Sequence, residues 1–162
     1  MKLFITAAFS AVALLTTPVL AAEDLSAATA EAVRQADLAF AKRAGEAGFA
    51  RAFLEFMDEE EGLLYGVEGP PTVGARAAFE ALGGDAPERM KVEWAPTKAW
   101  GSKGGDLGVT VGTYTRTPIV AGPPVRTGRY VTVWRKDAKG QWKGLIDIGE
   151  SDPVATPPAA RP

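Results

Sequence analysis

The sequence contains neither cysteine nor histidine among its 162 residues. Without cysteine the chain can form no disulfide, no thiolate nucleophile and no cysteine metal site. Without histidine it lacks the commonest general base and the commonest metal ligand in proteins. Any acid–base chemistry therefore falls to carboxylates and tyrosines, and we expect no metal ion and no other cofactor.

The chain also lacks a strong excess of charge. It has 18 Lys and Arg residues against 20 Asp and Glu residues, and its net charge is −2 at pH 7. A mildly acidic chain without a run of basic residues has little electrostatic attraction for phosphate groups. We therefore expect neither nucleic acid nor an anionic membrane surface as a partner.

A long apolar run is found only near the N-terminus. Lys2 precedes an almost wholly apolar stretch from Leu3 to Leu15, and small residues around Ala21 offer a cleavage site. The stretch is short for a membrane span. We predict that residues 1–21 are a signal peptide, that the protein is periplasmic or secreted, and that the cleaved chain has no membrane span. Residues 22–150 would form one domain, and the Pro/Ala-rich residues 151–162 a disordered tail.

The strongest local pattern is a β-hairpin between Arg129 and Gly149. Two stretches rich in β-branched and aromatic residues flank Asp137-Ala138-Lys139-Gly140, and Gly140 suits the left-handed position that closes a three-residue loop. This loop predicts that one face of the hairpin carries Tyr130, Thr132, Trp134, Trp142, Ile146 and Ile148. The other face would carry Arg129, Val131, Val133, Leu145 and Asp147. A loop of even length would exchange these partners.

Helical periodicity before the hairpin predicts a first helix over 24–44 that Gly45 ends, a second over Gly48 to Met57, and a short third over Gly74 to Leu82. Extended stretches predict strands at Leu63 to Tyr65, Met90 to Trp100 and Leu107 to Arg116. Pro96 suggests an edge strand or a bulge. The acidic residues 58–61 are interpreted as a solvated turn, and the loop from Thr117 to Pro124 could overhang the mouth of a pocket.

The order of these elements indicates an α+β fold in which helices cover one face of a curved antiparallel sheet. With that order, three motifs resemble the nuclear transport factor 2-like (cystatin-like cone) superfamily: Ala36-Asp37-Leu38-Ala39-Phe40, Gly128-Arg129-Tyr130 and Gly140-Gln141-Trp142-Lys143. Within it the chain resembles exported bacterial proteins related to polyketide cyclases (SnoaL-like) and ketosteroid isomerases. The resemblance implies a sheet wrapped around the N-terminal helices, an apolar pocket at its open end, and the homodimers common in that superfamily.

The resemblance carries no single activity, because the superfamily holds isomerases, dehydratases, cyclases, epoxide hydrolases and non-catalytic binders. Its ketosteroid isomerases place a tyrosine in the first helix, and this chain has none between Leu25 and Ala44. Its dehydratases use histidine, which is absent here. For each activity named here, the chain therefore lacks an essential residue or retains only part of the site.

Asp147 is the candidate catalytic residue. It lies between Ile146 and Ile148, where a carboxylate is costly unless it is paired or hydrogen-bonded. It is either an acid or base with a pKa raised by an apolar pocket, or the partner of Arg129 in an ion pair. The candidate ligand-binding residues are aromatic: Tyr65, Trp94, Tyr114, Tyr130 and Trp134.

Three functions remain open from the sequence. The first is binding of a small apolar or aromatic molecule without catalysis. The second is a lyase, cyclase or isomerase that uses Asp147 as acid or base together with a tyrosine. The third is a dimeric structural or interaction module.

Overall fold

The computed structural model describes residues 23–66, 69–121 and 124–153. The predicted signal peptide and residues 154–162 of the predicted tail lie outside these ranges. Within them the chain forms three helices: α1 Ser26–Ala47, α2 Phe49–Phe56 and α3 Ala75–Ala81. It also forms six strands: β1 Leu63–Tyr65, β2 Thr72–Val73, β3 Met90–Gly101, β4 Leu107–Pro118, β5 Arg126–Lys136 and β6 Trp142–Ser151. No helix in the described ranges has the length and apolarity needed to cross a bilayer.

The strands form one curved, unclosed sheet in the order β2-β1-β6-β5-β4-β3. The four long strands are antiparallel, whereas the short strand β1 runs parallel to β6. Helices α1 and α2 cover the inner face of this sheet. The predicted α+β fold is confirmed, and β1 makes the sheet mixed. Strand β2 lies where the sequence predicted no strand.

The first helix continues past the glycine that was expected to end it. Gly45 lies within α1 with open space around its Cα, so it is tolerated there, and the prediction of a stop at this residue is wrong. The helix ends at Ala47 because Gly48 adopts a positive φ of 96°, a conformation that favours glycine. Gly48 thereby turns the chain directly into α2.

The core lies between helices α1 and α2 and the inner face of the sheet. Phe40 of α1 is its centre: its ring lies 5.0 Å from that of Phe53 and 4.8 Å from that of Trp94, both edge to face. Trp134 of β5 is fully buried beneath it. These aromatic contacts fix α1 against β3 and β5, the strands that carry Trp94 and Tyr130 of the site described below.

The hairpin loop has the predicted form. Gly140 has φ 77°, its N–H donates to the Asp137 carbonyl oxygen at 2.9 Å, and the Asp137 N–H donates to the Gln141 carbonyl oxygen at 2.8 Å. Asp137 Oδ1 also accepts the N–H of Gln141 at 2.8 Å. The three-residue loop with a left-handed glycine is therefore confirmed.

The prediction of which hairpin residues share a face holds as far as the pair Trp134–Gly144 and is wrong beyond it. Trp134 pairs with Gly144, but Val133 pairs with Ile146, so Leu145 is an extra residue that forms a β-bulge. From the bulge onward the alternation of β6 is reversed relative to β5. Thr132 now pairs with Asp147, and Val131 pairs with Ile148.

Strand β3 forms the edge of the sheet, and its pairing with β4 shifts between Pro96 and Lys98. Pro96 thus marks both an edge strand and a bulge, as predicted. On β4, a Cβ added to Gly112 would lie 2.1 Å from the Ala95 carbonyl oxygen and 2.6 Å from the Tyr130 ring. Glycine is required there so that the ring of Tyr130 can lie flat against the strand.

The acidic residues 58–61 form a turn in which residues 59–61 are exposed, as predicted, and Asp58 ties the turn to the sheet. Asp58 Oδ1 accepts the N–H groups of Glu60 and Glu61, and Asp58 Oδ2 accepts a hydrogen bond from Arg135 at 3.0 Å. Arg135 also pairs with Glu61. In the described part of the chain no cluster of three acidic side chains is arranged to hold a metal ion.

Candidate functional site

A pocket of about 250 Å³ opens between the helices and the inner face of the sheet. Its walls are mostly aromatic and aliphatic, and its polar groups lie at the floor and at the mouth. The side chains that line it come from α1, α2, the segment after α3, and all strands except β2: Phe40, Phe49, Phe53, Leu64, Tyr65, Leu82, Val92, Trp94, Tyr114, Arg116, Tyr130 and Asp147, with Gly66 and Gly149. Such a pocket, apolar with a few polar groups, is typical of a small-molecule site.

Asp147 lies at the floor of this pocket because the bulge in β6 turns it to the inner face. Its Oδ2 accepts a hydrogen bond from Thr132 Oγ1 at 2.7 Å. The predicted ion pair with Arg129 does not form: Arg129 lies 3.8 Å from Asp152 instead, on the outer side of the sheet. The pKa of Asp147 is raised to about 7 in total. Burial is the main cause, the hydrogen bond from the Thr132 hydroxyl acts against it, and the nearby charge of Asp37 adds to it.

Asp37 is a second buried carboxyl, and the sequence reading did not identify it as a site residue. Its exposure is 0%. One oxygen accepts the Trp94 indole N–H at 2.7 Å, and the other accepts the Tyr130 hydroxyl at 2.8 Å. Burial raises the pKa of Asp37, and hydrogen bonds from Thr110, Trp94 and Tyr130 counteract that effect.

Tyr130 lines the pocket and is hydrogen-bonded to Asp37. Its ring is buried, with 7% exposure, and its hydroxyl proton is donated to Asp37. Burial, and then the charge of Asp37, hold the pKa of Tyr130 well above its ordinary value. Tyr130 therefore stays protonated, and its hydroxyl can only accept a further hydrogen bond from a ligand.

Tyr114 of β4 lies on the same inner face as Tyr130. Its partner Gly128 is two residues from Tyr130 along β5, on the side of the mouth. The Tyr114 hydroxyl shares a hydrogen bond of 2.9 Å with Ser151 Oγ, in which either oxygen can donate. A Cβ added to Gly128 would lie 2.5 Å from the Tyr114 hydroxyl, so a glycine on β5 makes room for this side chain. Unlike Tyr130, Tyr114 has a hydroxyl proton that is available to a ligand whenever Ser151 acts as the donor.

Four of the five predicted aromatic candidates line the pocket together with Asp147: Tyr65, Trp94, Tyr114 and Tyr130. Tyr65 is at the rim with 40% exposure. Trp134 does not line it, because its side chain is fully buried in the core and its indole N–H donates to Thr110 Oγ1 at 2.9 Å. Trp134 supports the site from below.

The residues that sequence reasoning missed are Asp37, Arg116 and Phe49. Asp37 carries a signal that could have found it, since it interrupts the buried stripe of α1 between Val33 and Phe40. A charged residue on such a stripe is unusual without a partner. Arg116 and Phe49 carry no comparable signal, because their places depend on the curvature of β4 and on the turn into α2.

No protein-family model matches the sequence, and no curated protein gives a significant match. Solved structures do match. A ketosteroid isomerase-like protein from Erwinia carotovora atroseptica is 16% identical with a TM-score of 0.63, covering 77% of this chain and 97% of that chain. A nuclear transport factor 2-like protein from Salmonella enterica is 14% identical with a TM-score of 0.61, covering 83% and 98%. A scytalone dehydratase-like protein from Novosphingobium aromaticivorans is 13% identical with a TM-score of 0.60, covering 82% and 93%. At these identities the likeness shows the fold, which is the nuclear transport factor 2-like fold.

Proposed function

We propose that the protein, a nuclear transport factor 2-like fold with this pocket, binds a small aromatic or apolar molecule that places a polar group at Asp147. The observation that carries the proposal is a carboxyl with a pKa of about 7 at the floor of a pocket with aromatic walls. A carboxyl that is held partly protonated near neutral pH can both donate and accept a hydrogen bond. It suits a ligand hydroxyl or carbonyl better than a cation.

The walls favour a flat, apolar ligand body. Phe49, Trp94 and Tyr114 present rings to the cavity from α2, β3 and β4. Aromatic walls gain from stacking and from the removal of apolar surface from water, at roughly 25 cal/mol for each Å² buried. Because the cavity is about 250 Å³, one or two fused rings fit better than a larger skeleton.

A thermal-shift screen of mono- and bicyclic aromatic compounds tests this proposal. A ligand at 100 times its dissociation constant stabilises the protein by about 2.7 kcal/mol. Val92 lines the pocket on the edge strand β3, so Val92→Trp should fill the cavity and abolish the shift. Val131→Trp makes the same change on the opposite face of the sheet and should leave the shift intact. Equal shifts in wild type and Val92→Trp would show that binding occurs elsewhere.

A second candidate function is acid–base catalysis of an isomerase or lyase type. The favouring observation is again Asp147, because a base with a pKa near the working pH is efficient in proton transfer. Asp147 would remove a proton from a carbon next to a carbonyl group. The Tyr114 hydroxyl would donate to the oxygen on which charge develops, since the Tyr130 proton is already given to Asp37.

Exchange of the α-protons of 2-tetralone in deuterated water, followed by proton NMR, measures this activity directly. We expect Asp147→Asn to slow the protein-dependent exchange by about a hundredfold or more, and Tyr114→Phe to slow it by a smaller factor. Absence of exchange above the buffer rate in the wild type would count against catalysis of this type and would leave the binding proposal standing.

The outer face of the sheet supports a further proposal, self-association with a second copy of the chain. Val131 and Ile148 are direct cross-strand partners there, with 39% and 43% exposure. Trp100 on the edge strand is 47% exposed. Light scattering across a concentration series should give the mass of a dimer, and Ile148→Lys should shift it to that of a monomer. A monomeric wild type at all concentrations would contradict the proposal.

A further inference from the structure

Two arginines lie opposite each other on the inner face of the sheet, where it borders the pocket. Arg116 on β4 lines the pocket, and Arg126 on β5 is its direct cross-strand partner. Both side chains are half-buried. Like charges directly opposite each other on a sheet destabilise it, so this pair has an energetic cost.

This pair has no ion-pair partner within the described ranges. Neither Arg116 nor Arg126 forms an ion pair with an acidic residue there. The acids of the adjacent rim are engaged elsewhere: Asp85 pairs with Arg51, and Glu88 accepts the N–H of Phe49.

Asp147, the acid at the pocket floor, is too far from the two arginines to form an ion pair with them. Asp147 lies directly opposite Thr132 of β5, and Thr132 is six residues from Arg126 along that strand. The Cα atoms of Thr132 and Arg126 are therefore about 20 Å apart. The two arginines therefore leave a local excess of positive charge at the mouth of an apolar pocket.

We propose that the ligand of this pocket is an organic carboxylate, whose anionic group is held at the mouth by Arg116 with Arg126 while its aromatic or apolar body lies along the walls. The guanidinium group matches a carboxylate in shape and can donate two parallel hydrogen bonds. A carboxylate between the two arginines would also relieve their mutual repulsion. The inference rests on the proposed binding function and narrows its ligand to one chemical class.

Binding of two isosteric probes, naphthalene-2-carboxylate and naphthalene-2-carboxamide, tests the proposal. They share the aromatic body and differ in the charge of one group. Isothermal titration calorimetry at pH 6 and low ionic strength should give a dissociation constant about tenfold or more lower for the carboxylate in the wild type. Arg116→Met should weaken carboxylate binding far more than carboxamide binding and so remove most of this preference, whereas Arg116→Lys should retain part of it.

Arg76→Met is the matched control, because Arg76 is an exposed arginine of α3 outside the pocket. It should keep the wild-type preference. A wild type that binds both probes with the same constant overturns the carboxylate inference but leaves the binding function intact. A wild type that binds neither probe counts against an aromatic-binding pocket and overturns both. A preference that survives in Arg116→Met assigns the anion to another site and overturns the role of the arginines.

Discussion

Asp147 makes the stability of the protein depend on pH in a direction opposite to that of an ordinary carboxylate. Its pKa rises from 3.8 to about 7 on folding, chiefly through burial. Between these values the folded state binds a proton that the unfolded state has lost, so the free energy of unfolding falls as the pH rises. At about 1.4 kcal/mol for each tenfold change, the full fall is about 4 kcal/mol and is complete only above pH 7.

The substitution Asp147→Asn removes this titration. The Asn side-chain oxygen can still accept the hydrogen bond of Thr132, so the variant keeps the local contact. Relative to wild type, the free energy of unfolding of the variant should increase by about 2.7 kcal/mol between pH 5 and pH 8, where about two pH units of the titration lie. At pH 8 we therefore expect the variant to be the more stable protein, although it has lost the polar group of its pocket.

Urea unfolding followed by tryptophan fluorescence at pH 5, 6, 7 and 8 measures the effect as a separation of midpoints that widens with pH, by about 1 to 2 M. Asp58→Asn is the matched control. Burial raises the pKa of Asp58, but hydrogen bonds from Glu61 and Arg135 outweigh it and hold the pKa below its ordinary value. Its loss should destabilise the protein by a constant amount across this pH range. Parallel curves for Asp147→Asn and wild type would refute the raised pKa.

Three further predictions concern single positions. Thr132→Val removes the hydroxyl that lowers the pKa of Asp147, so carbon-13 NMR of that carboxyl should give a midpoint above the wild-type value; an unchanged midpoint would contradict the hydrogen bond. Gly112→Ala should lower the free energy of unfolding by about 2 kcal/mol or more in urea, because its Cβ would collide with a carbonyl oxygen, whereas Gly45→Ala in open helical space should raise it by up to about 1 kcal/mol. Mass spectrometry of the protein from its native host should find an N-terminus at Ala22 or Glu23, and an intact chain beginning at Met1 in the cytoplasm would contradict the predicted export.

The fold could be predicted because its signals are local and repeated. Helical periodicity marked α1 and α2, and the loop ending in Gly140 marked the hairpin. Those patterns follow from burial of one face of each element, which the sequence records directly. The end of α1 was missed because Gly45 and Gly48 look alike in sequence, and only the backbone shows which one has the positive φ.

The site could be predicted only in part, because it depends on how elements are placed against one another. Asp147 and three of the aromatic candidates stood out as polar or aromatic residues in predicted strands, and Tyr65 stood at the end of a short one. Their common cavity depends on sheet curvature. The partnership of Asp37 with Tyr130 joins residues 93 positions apart, and no local pattern records it. Arg116 looked like an ordinary charged residue near the end of a strand.

The extra residue Leu145 also determines how the strand responds to a change in length. Before Leu145 the even-numbered residues of β6 lie on the inner face of the sheet, and after it the odd-numbered residues do. Deletion of this single residue would remove the bulge and leave a regular ladder with the same partners, so Asp147 would stay at the pocket floor opposite Thr132. At its present length, a strand without the bulge would instead turn Ile146 and Ile148 into the cavity and Asp147 to solvent. The polarity of the pocket floor is thus set by the register of the strand as much as by the identity of its residues.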